Sequence, residues 1–364
     1  MHRRSMDVDV VVIGSGVVGA AVAQTLAARG DAVWVLEAKA RAGGETSERN
    51  SGVVHASLYY PANSLKTRLC VAGNRLLHHW AARHGVPLRR TGKLVVARND
   101  AEEAALERLF AHGKSVGAGP LELLGAEALA ARDPDVIGRA AVWSPWTSVT
   151  DPVAFTHSLL DDARAHGAEL LVGARVEALE PIPGGWRVRS TRGEVEARAV
   201  VNAAGLAADH IARLAGVDRY TLHPCRGDYF WIKRRRAHPH LVYPMKAPGS
   251  PGLGIHLTID VDGRARLGPD VTWVDARDDY APAEHKRDAF LAAARTLLRD
   301  VGDDDLAYDA CGIRPKLRAP HEAEERDFVI ALDAPSLVNL VGIESPGLTA
   351  SLAVALEVAQ HLPR

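Results

Sequence analysis

The chain has 364 residues, with 44 Lys and Arg against 45 Asp and Glu and a net charge of −1, long enough for two domains or one interleaved architecture without disulfides or metal to support a core. The balanced charge creates no field that would recruit nucleic acid, so nucleic acid is not expected as a partner. Three cysteines, Cys70, Cys225 and Cys311, stand far apart in no metal-ligand spacing, which suits a reducing cytosol, and no metal site is expected.

The first residues, MHRRSMDVD, pass from a short basic stretch into a strand without the apolar core of a signal peptide, and Met6 is an alternative start. No window reaches the ~18 apolar residues of a spanning helix. The expected location is cytoplasmic, with peripheral contact at the inner face of the membrane left open.

Residues 10–13 are a β-branched apolar run that suits a buried parallel strand, and Gly14, Gly16 and Gly19 follow in G-x-G-x-x-G order. In that arrangement Gly14 permits the tight turn, Gly16 lets backbone approach a pyrophosphate, and Gly19 lets the next helix pack on the strand. A helix over 17–29, through Val17 and Val18, then points its first amides at phosphate, and Gly30 stops it. A second strand, 32–36, closes on Glu37, about 20 residues beyond the glycines, where a carboxylate can accept both ribose hydroxyls. Strand, glycine turn, helix and acid together predict an adenine dinucleotide site.

A Gly-, Thr-, Ser- and Asn-rich loop covers 41–50. Ser64 then caps a helix carrying Leu65, Leu69, Leu76, Leu77 and Trp80 as its core face and ending near Gly85. Residues 92–97 form a strand, and helices are expected over 100–112, 126–131 and, with Pro152 at its first position, 152–166. Short strands follow at 169–172, 175–180 and 186–190, then an apolar strand ending in Ala203, Ala204 and Gly205 before a helix over 207–215. Residues 220–268 alternate as an antiparallel sheet, including 226–232, 254–259 and 264–267. The basic run 233–236 reads as a solvated hairpin tip. A helix over 282–298, a segment 309–316, strands at 328–331 and 337–341, and a terminal helix entered through 342–351 complete the chain. There is no repeat or linker, so any domains interleave.

Five stretches carry a family resemblance: Asn50-Ser-Gly-Val-Val-His-Ala-Ser-Leu-Tyr-Tyr-Pro61, Ser64-Leu-Lys-Thr-Arg-Leu-Cys70, Gly92-Lys-Leu-Val-Val-Ala97, Arg226-Gly-Asp-Tyr229 and Leu267-Gly-Pro269. Through them the chain resembles the FAD-dependent oxidoreductases of the D-amino-acid oxidase superfamily, and most closely its L-2-hydroxyglutarate dehydrogenase/oxidase branch. The resemblance implies an α/β fold: a glutathione-reductase-type FAD-binding Rossmann domain, discontinuous over 1–90, 150–219 and 306–364, and a mainly antiparallel β substrate domain over 91–149 and 220–305. It implies FAD rather than NAD. The expected contacts are Gly14, Gly16, Val17, Val18, Gly19, Glu37, Ala38, Thr46, Ser47, Asn50, Ser51, Gly52 and Val54, then Val176, Ala203, Ala204, Gly205 and Gly312. Gly347, Leu348 and Thr349 would meet the flavin pyrimidine at a helix N-terminus.

The resemblance also implies the chemistry: hydride transfer from the α carbon of a small 2-hydroxy acid, L-2-hydroxyglutarate foremost, to flavin N5. Arg314, in a G-x-R-P motif, would hold the substrate carboxylate in two parallel hydrogen bonds. Lys316 and Lys66 are candidates for a second carboxylate, and Tyr59, Tyr60 and Tyr243 for pocket hydroxyls. His55 and His256 compete as the base that removes the hydroxyl proton, because imidazole titrates in the useful range. For His55, a structural flavin contact and a covalent attachment point stand beside that role. Gly312-Ile-Arg-Pro-Lys316 looks more like the amino-acid oxidases, so an amine or amino-acid substrate is the first alternative, and a flavin-binding subunit without turnover the second. The electron acceptor, whether dioxygen, a quinone or a carrier protein, has no motif.

Overall fold

The computed structural model describes residues 6–233, 238–245 and 252–362. Residues 1–5, and positions 234–236 of the basic run, lie outside the described residues. The chain divides into two compact units, Met1–Glu48 with Pro152–Pro224 and Arg314–Arg364, and Arg49–Asp151 with Cys225–Ile313. Residues 49–90, grouped with the nucleotide-binding segments on sequence, make their dense contacts in the second unit.

In the first unit five parallel strands lie in the order Leu337–Val341, Gly193–Asn202, Val8–Ile13, Val33–Glu37 and Glu169–Val172. Val11, Val12, Val200 and Val201 are fully buried, as expected for a sheet covered on both faces. Two antiparallel strands, Val176–Ile182 and Gly185–Ser190, extend it through the first half of Gly193–Asn202, and Val329–Ala334 pairs antiparallel with Leu337–Val341. The helix Val17–Ala28 buries a run of small residues from Gly19 to Ala23 and packs against the helices Pro152–Ala165 and Gly347–His361. Small side chains let the three helix axes approach closely.

The second unit is built on a nine-stranded sheet in which Lys93–Ala97 is flanked by Leu241–Pro244 and Ala140–Ser144. The Leu241–Pro244 ladder is parallel, while the neighbouring pairings, including those of Leu257–Ile259, Ala265–Leu267 and His223–Ile232, are antiparallel. A small second sheet joins Val53–Val54, Ser148–Thr150 and Leu88–Arg89. The helix Leu65–His84 starts where the Ser64 hydroxyl accepts from the Thr67 amide at 3.1 Å and ends at Gly85, φ 67°. Its buried face is Leu69, Cys70, Gly73, Asn74 and Leu77; Leu76 and Trp80 are half-buried, and Trp80 stacks on His84. The strand expected over 254–259 is confined to Leu257–Ile259. Gly252 and Gly254 both take φ 77°, which breaks the extended run and leaves His256 just before the strand rather than within it. Among the described residues no helix is long and apolar enough to cross a membrane.

Candidate active site

The nucleotide cradle of the first unit begins at the end of Val8–Ile13. Gly14 turns the chain at φ 100°, where a Cβ would lie 2.6 Å from the Ala203 carbonyl oxygen, and a Cβ on Gly19 would lie 1.9 Å from that of Gly14. Side chains at these two positions would collide with backbone. Gly16 is different, because the one atom near its missing Cβ is Ser47 Oγ at 3.0 Å. That open face is what a pyrophosphate approaching the backbone requires. Glu37 Oε2 accepts from the Ser15 amide at 3.0 Å and hydroxyl at 2.6 Å, and Oε1 from the Lys39 amide at 2.8 Å. The acid is thereby oriented at the end of the second strand, with lone pairs left for ribose hydroxyls.

Ser47 has a defined part: its hydroxyl accepts from the Val17 amide at 2.8 Å, capping the helix that Gly16 opens. Ala203 donates its amide to Ile13 at 2.9 Å, and the Ala204 amide reaches Asn202 Oδ1. Asn202 and Asn339, which the sequence reading did not single out, hold this turn. The Asn202 amide group donates to the Ala208 carbonyl and to Asn339 Oδ1, both at 2.7 Å, and Asn339 donates to Asp333 at 2.7 Å. Both asparagines are fully buried, Asn202 at the end of its strand and Asn339 in the middle of Leu337–Val341, and a polar amide beside apolar strand neighbours was the available signal. Gly205 follows at φ 54°, and Val176 opens the neighbouring strand. The helix Gly347–His361 begins with buried Gly347 and Thr349 around half-buried Leu348, presenting a positive helix end. Val18 and Thr46 are half-buried and Ala38 is exposed after Glu37. An open glycine face, an oriented acid and a helix N-terminus fit FAD.

In the second unit the structure gathers His55, His256 and Tyr243 around Lys93, which was read on sequence only as the start of an apolar strand. Tyr243 and His256 stack at 3.8 Å between ring centroids, and His256 is 5% exposed. His256 Nδ1 lies 2.7 Å from the Gly254 carbonyl, so this nitrogen carries a proton and donates it there. The His55 carbonyl is pinned by Asn74 Nδ2 at 3.0 Å and Cys70 Sγ at 3.5 Å, both from Leu65–His84. Burial, the Lys93 charge and His256 together push the His55 imidazole down to about 3, so it is neutral at physiological pH. Lys93 Nζ sits 4.8 Å from the Tyr59 ring centroid and 4.7 Å from that of Tyr243, and burial pushes its ammonium down to about 7. Burial likewise pushes the Cys70 thiol up to about 12. The signal for Lys93 was a lysine opening a strand whose other residues are all apolar.

The remaining candidates divide between the units. Arg314 is half-buried near the end of Leu306–Lys316 in the first unit. Lys316 Nζ lies 2.9 Å from Glu325 and 3.0 Å from Glu344; burial works to lower its pKa, but the two carboxylates prevail and raise it. Its charge is balanced within the fold, which suits it poorly to a substrate carboxylate. In the second unit Lys66 is buried in Leu65–His84, and the Tyr60 carbonyl accepts from Thr67 Oγ1 at 3.1 Å. Asn50 Oδ1 accepts from the Gly52 amide at 2.8 Å, Ser51 Oγ lies 3.3 Å from the Tyr229 hydroxyl, and Val54 is fully buried. Gly312 is packed so closely that a Cβ would lie 2.0 Å from the Arg49 carbonyl oxygen. Among the described residues one group of metal-ligating type occurs, Asp133, Asp135 and His238, and its buried pair, Asp133 Oδ2 and His238 Nδ1, is 3.4 Å apart.

Known proteins resemble this chain over most of its length. The family model described as FAD dependent oxidoreductase matches residues 9–361. The mitochondrial L-2-hydroxyglutarate dehydrogenase of Arabidopsis thaliana is 36% identical, over 98% of this chain and 84% of that protein. The L-2-hydroxyglutarate dehydrogenase of Escherichia coli K12 is 31% identical, over 81% of this chain and 70% of that protein. Among solved structures, FAD-bound L-alpha-glycerophosphate oxidase from Mycoplasma pneumoniae superposes with a TM-score of 0.90 at 24% identity, covering 98% of this chain and 94% of that one.

Proposed function

This chain belongs to the FAD-dependent oxidoreductase family, and we propose that within it the protein oxidises a small 2-hydroxy acid, L-2-hydroxyglutarate foremost, to the 2-oxo acid. The observation that carries the reading is a pair of histidines, His55 and His256, gathered with a buried lysine, in a chain whose relatives include L-2-hydroxyglutarate dehydrogenases. On this reading the first unit supplies the FAD-binding turn and acid together with Arg314, and the second the histidines and lysine that handle the substrate. FAD, when bound, supplies the acceptor for the α-carbon hydride at N5.

The protein's own groups handle the proton and the charge. The 2-hydroxyl proton passes to the histidine pair. His55 and His256 influence each other's charge, so the proton belongs to the pair rather than to one ring. In the ligand-free state His55 is a weak base, and an anionic substrate beside it would raise its basicity as hydride leaves. Arg314 takes the α-carboxylate, for which a planar guanidinium is shaped. Burial of His256, Tyr243 and Lys93 keeps water from the reacting hydroxyl. The three cysteines are buried thiols outside any disulfide, which accords with a reducing compartment, and the reading places the enzyme in the cytoplasm.

The test is turnover with an artificial dye acceptor and identification of the product. L-2-hydroxyglutarate should yield 2-oxoglutarate, with the D enantiomer at least about 100-fold slower, a loss expected when one enantiomer misplaces its α hydrogen. Equal rates for both enantiomers, or turnover of glycine or a D-amino acid instead, would overturn the reading.

A further inference from the structure

We propose that Lys93, together with the Tyr59 hydroxyl, binds the distal carboxylate of a dicarboxylate substrate and so sets the preference for a dianion over a monoanion. The inference rests on the functional reading above, which gives the α-carboxylate to Arg314, and it assigns the second carboxylate to neither Lys316 nor Lys66.

Two independent features lead there. Lys93 is 1% exposed on a strand that is otherwise Leu, Val, Val and Ala. The charged or titratable groups around it are His55, Cys70 and the tyrosines 59 and 243, with His256 stacked on Tyr243, and among the described residues no carboxylate pairs with it. An ammonium taken from water without an anion is costly, and two aromatic faces repay part of that cost. An anionic ligand at Nζ would supply the counter-charge that the fold does not. The Tyr59 hydroxyl is likewise buried and has no hydrogen-bond partner, although the ring beneath it lies against Lys93. A buried phenol donor without an acceptor is uncommon in a folded protein. A carboxylate reaching both groups would receive a charge-assisted bond from Nζ and a second from Oη, and would satisfy both at once. Lys316, by contrast, already faces two glutamates.

The experiment uses FAD-loaded protein and two unreactive probes, glutarate and butyrate, with binding read by calorimetry. The wild type should bind glutarate at least about tenfold more tightly than butyrate. Lys93→Met should weaken glutarate by about 100-fold and leave butyrate within about threefold, abolishing the preference. Lys93→Arg should restore part of it. Tyr59→Phe should weaken glutarate by about tenfold while leaving the melting temperature unchanged or higher, because the hydroxyl it removes has no partner in the fold. A wild type without preference, a Lys93→Met protein that keeps it, or equal losses for both probes would overturn the proposal. If Lys93→Met does not fold, Tyr59→Phe decides, and unchanged glutarate binding overturns it. A glutarate preference that depends on Lys93, in a protein that no 2-hydroxy acid reduces, would keep the anion site and sink the functional reading.

Discussion

His55 and Lys93 are two basic groups that burial has made reluctant to hold protons, and each leaves its own mark on pH dependence. The His55 imidazole falls to about 3 from 6.5, so between those values the unfolded chain binds the extra proton and folded stability declines as pH falls. Lys93 falls to about 7 from 10.5, so the unfolded chain again binds more protons between those values, and stability rises with pH across that window. Denaturant titrations of Lys93→Met should lose the upper slope, at most about 1.4 kcal/mol per pH unit for one group; an unchanged slope would mean another group carries it. If protonated Lys93 receives the distal carboxylate, kcat/KM for the dicarboxylate should decline above a pH of about 7, and Lys93→Arg should move that limb upward. Replacing either histidine with Gln should cost 10²–10⁴-fold, roughly, in kcat with FAD still bound, and a loss confined to KM would remove both from the proton transfer. His55 was legible within a family stretch, Arg314 within a G-x-R-P motif, and His256 and Tyr243 as polar side chains of the expected substrate sheet. Lys93 lay in the family stretch 92–97 yet was not singled out, since only tertiary folding shows that a lysine at a strand end turns inward.

At the scale of elements, the glycine turn was the most legible feature because sterics leave no choice. A methyl at Gly19 would sit 1.9 Å from the Gly14 carbonyl oxygen, so Gly19→Ala must push the helix Val17–Ala28 off its strand. The expected outcome is protein purified without yellow flavin, FAD affinity weakened by at least about 100-fold, and a second unit still folded. Normal FAD content would show that the turn can yield. The cap at Ser64 was equally readable, and Ser64→Ala should lower stability by about 1 kcal/mol in chemical denaturation. The segment around His256 was not readable. Alternation over 254–259 suggested one strand, yet two glycines at positive φ turn the chain and a Nδ1–H bond to Gly254 fixes the ring. Likewise the core face of Leu65–His84 was misjudged at Leu76 and Trp80, since a hydrophobic residue at helical spacing does not reveal which way the stripe faces.

For the whole molecule, interleaving was foreseeable from the absence of a repeat or linker in the sequence, whereas the grouping of 49–90 depends on contacts between distant segments. The Asn202–Asn339–Asp333 network shows the same dependence: it ties together strands 137 residues apart in sequence, and although each amide stands out in its strand, no local pattern shows that the two meet. The proposed substrate reading depends on the same kind of assembly, because His55, Lys93 and His256 come from separate stretches of the second unit. The measurement that tests this most directly is anaerobic mixing of FAD-loaded protein with L-2-hydroxyglutarate while the flavin absorbance is followed. The account predicts bleaching of the oxidised flavin at millimolar substrate with one equivalent of 2-oxoglutarate formed, and a flavin that stays yellow under those conditions would contradict it.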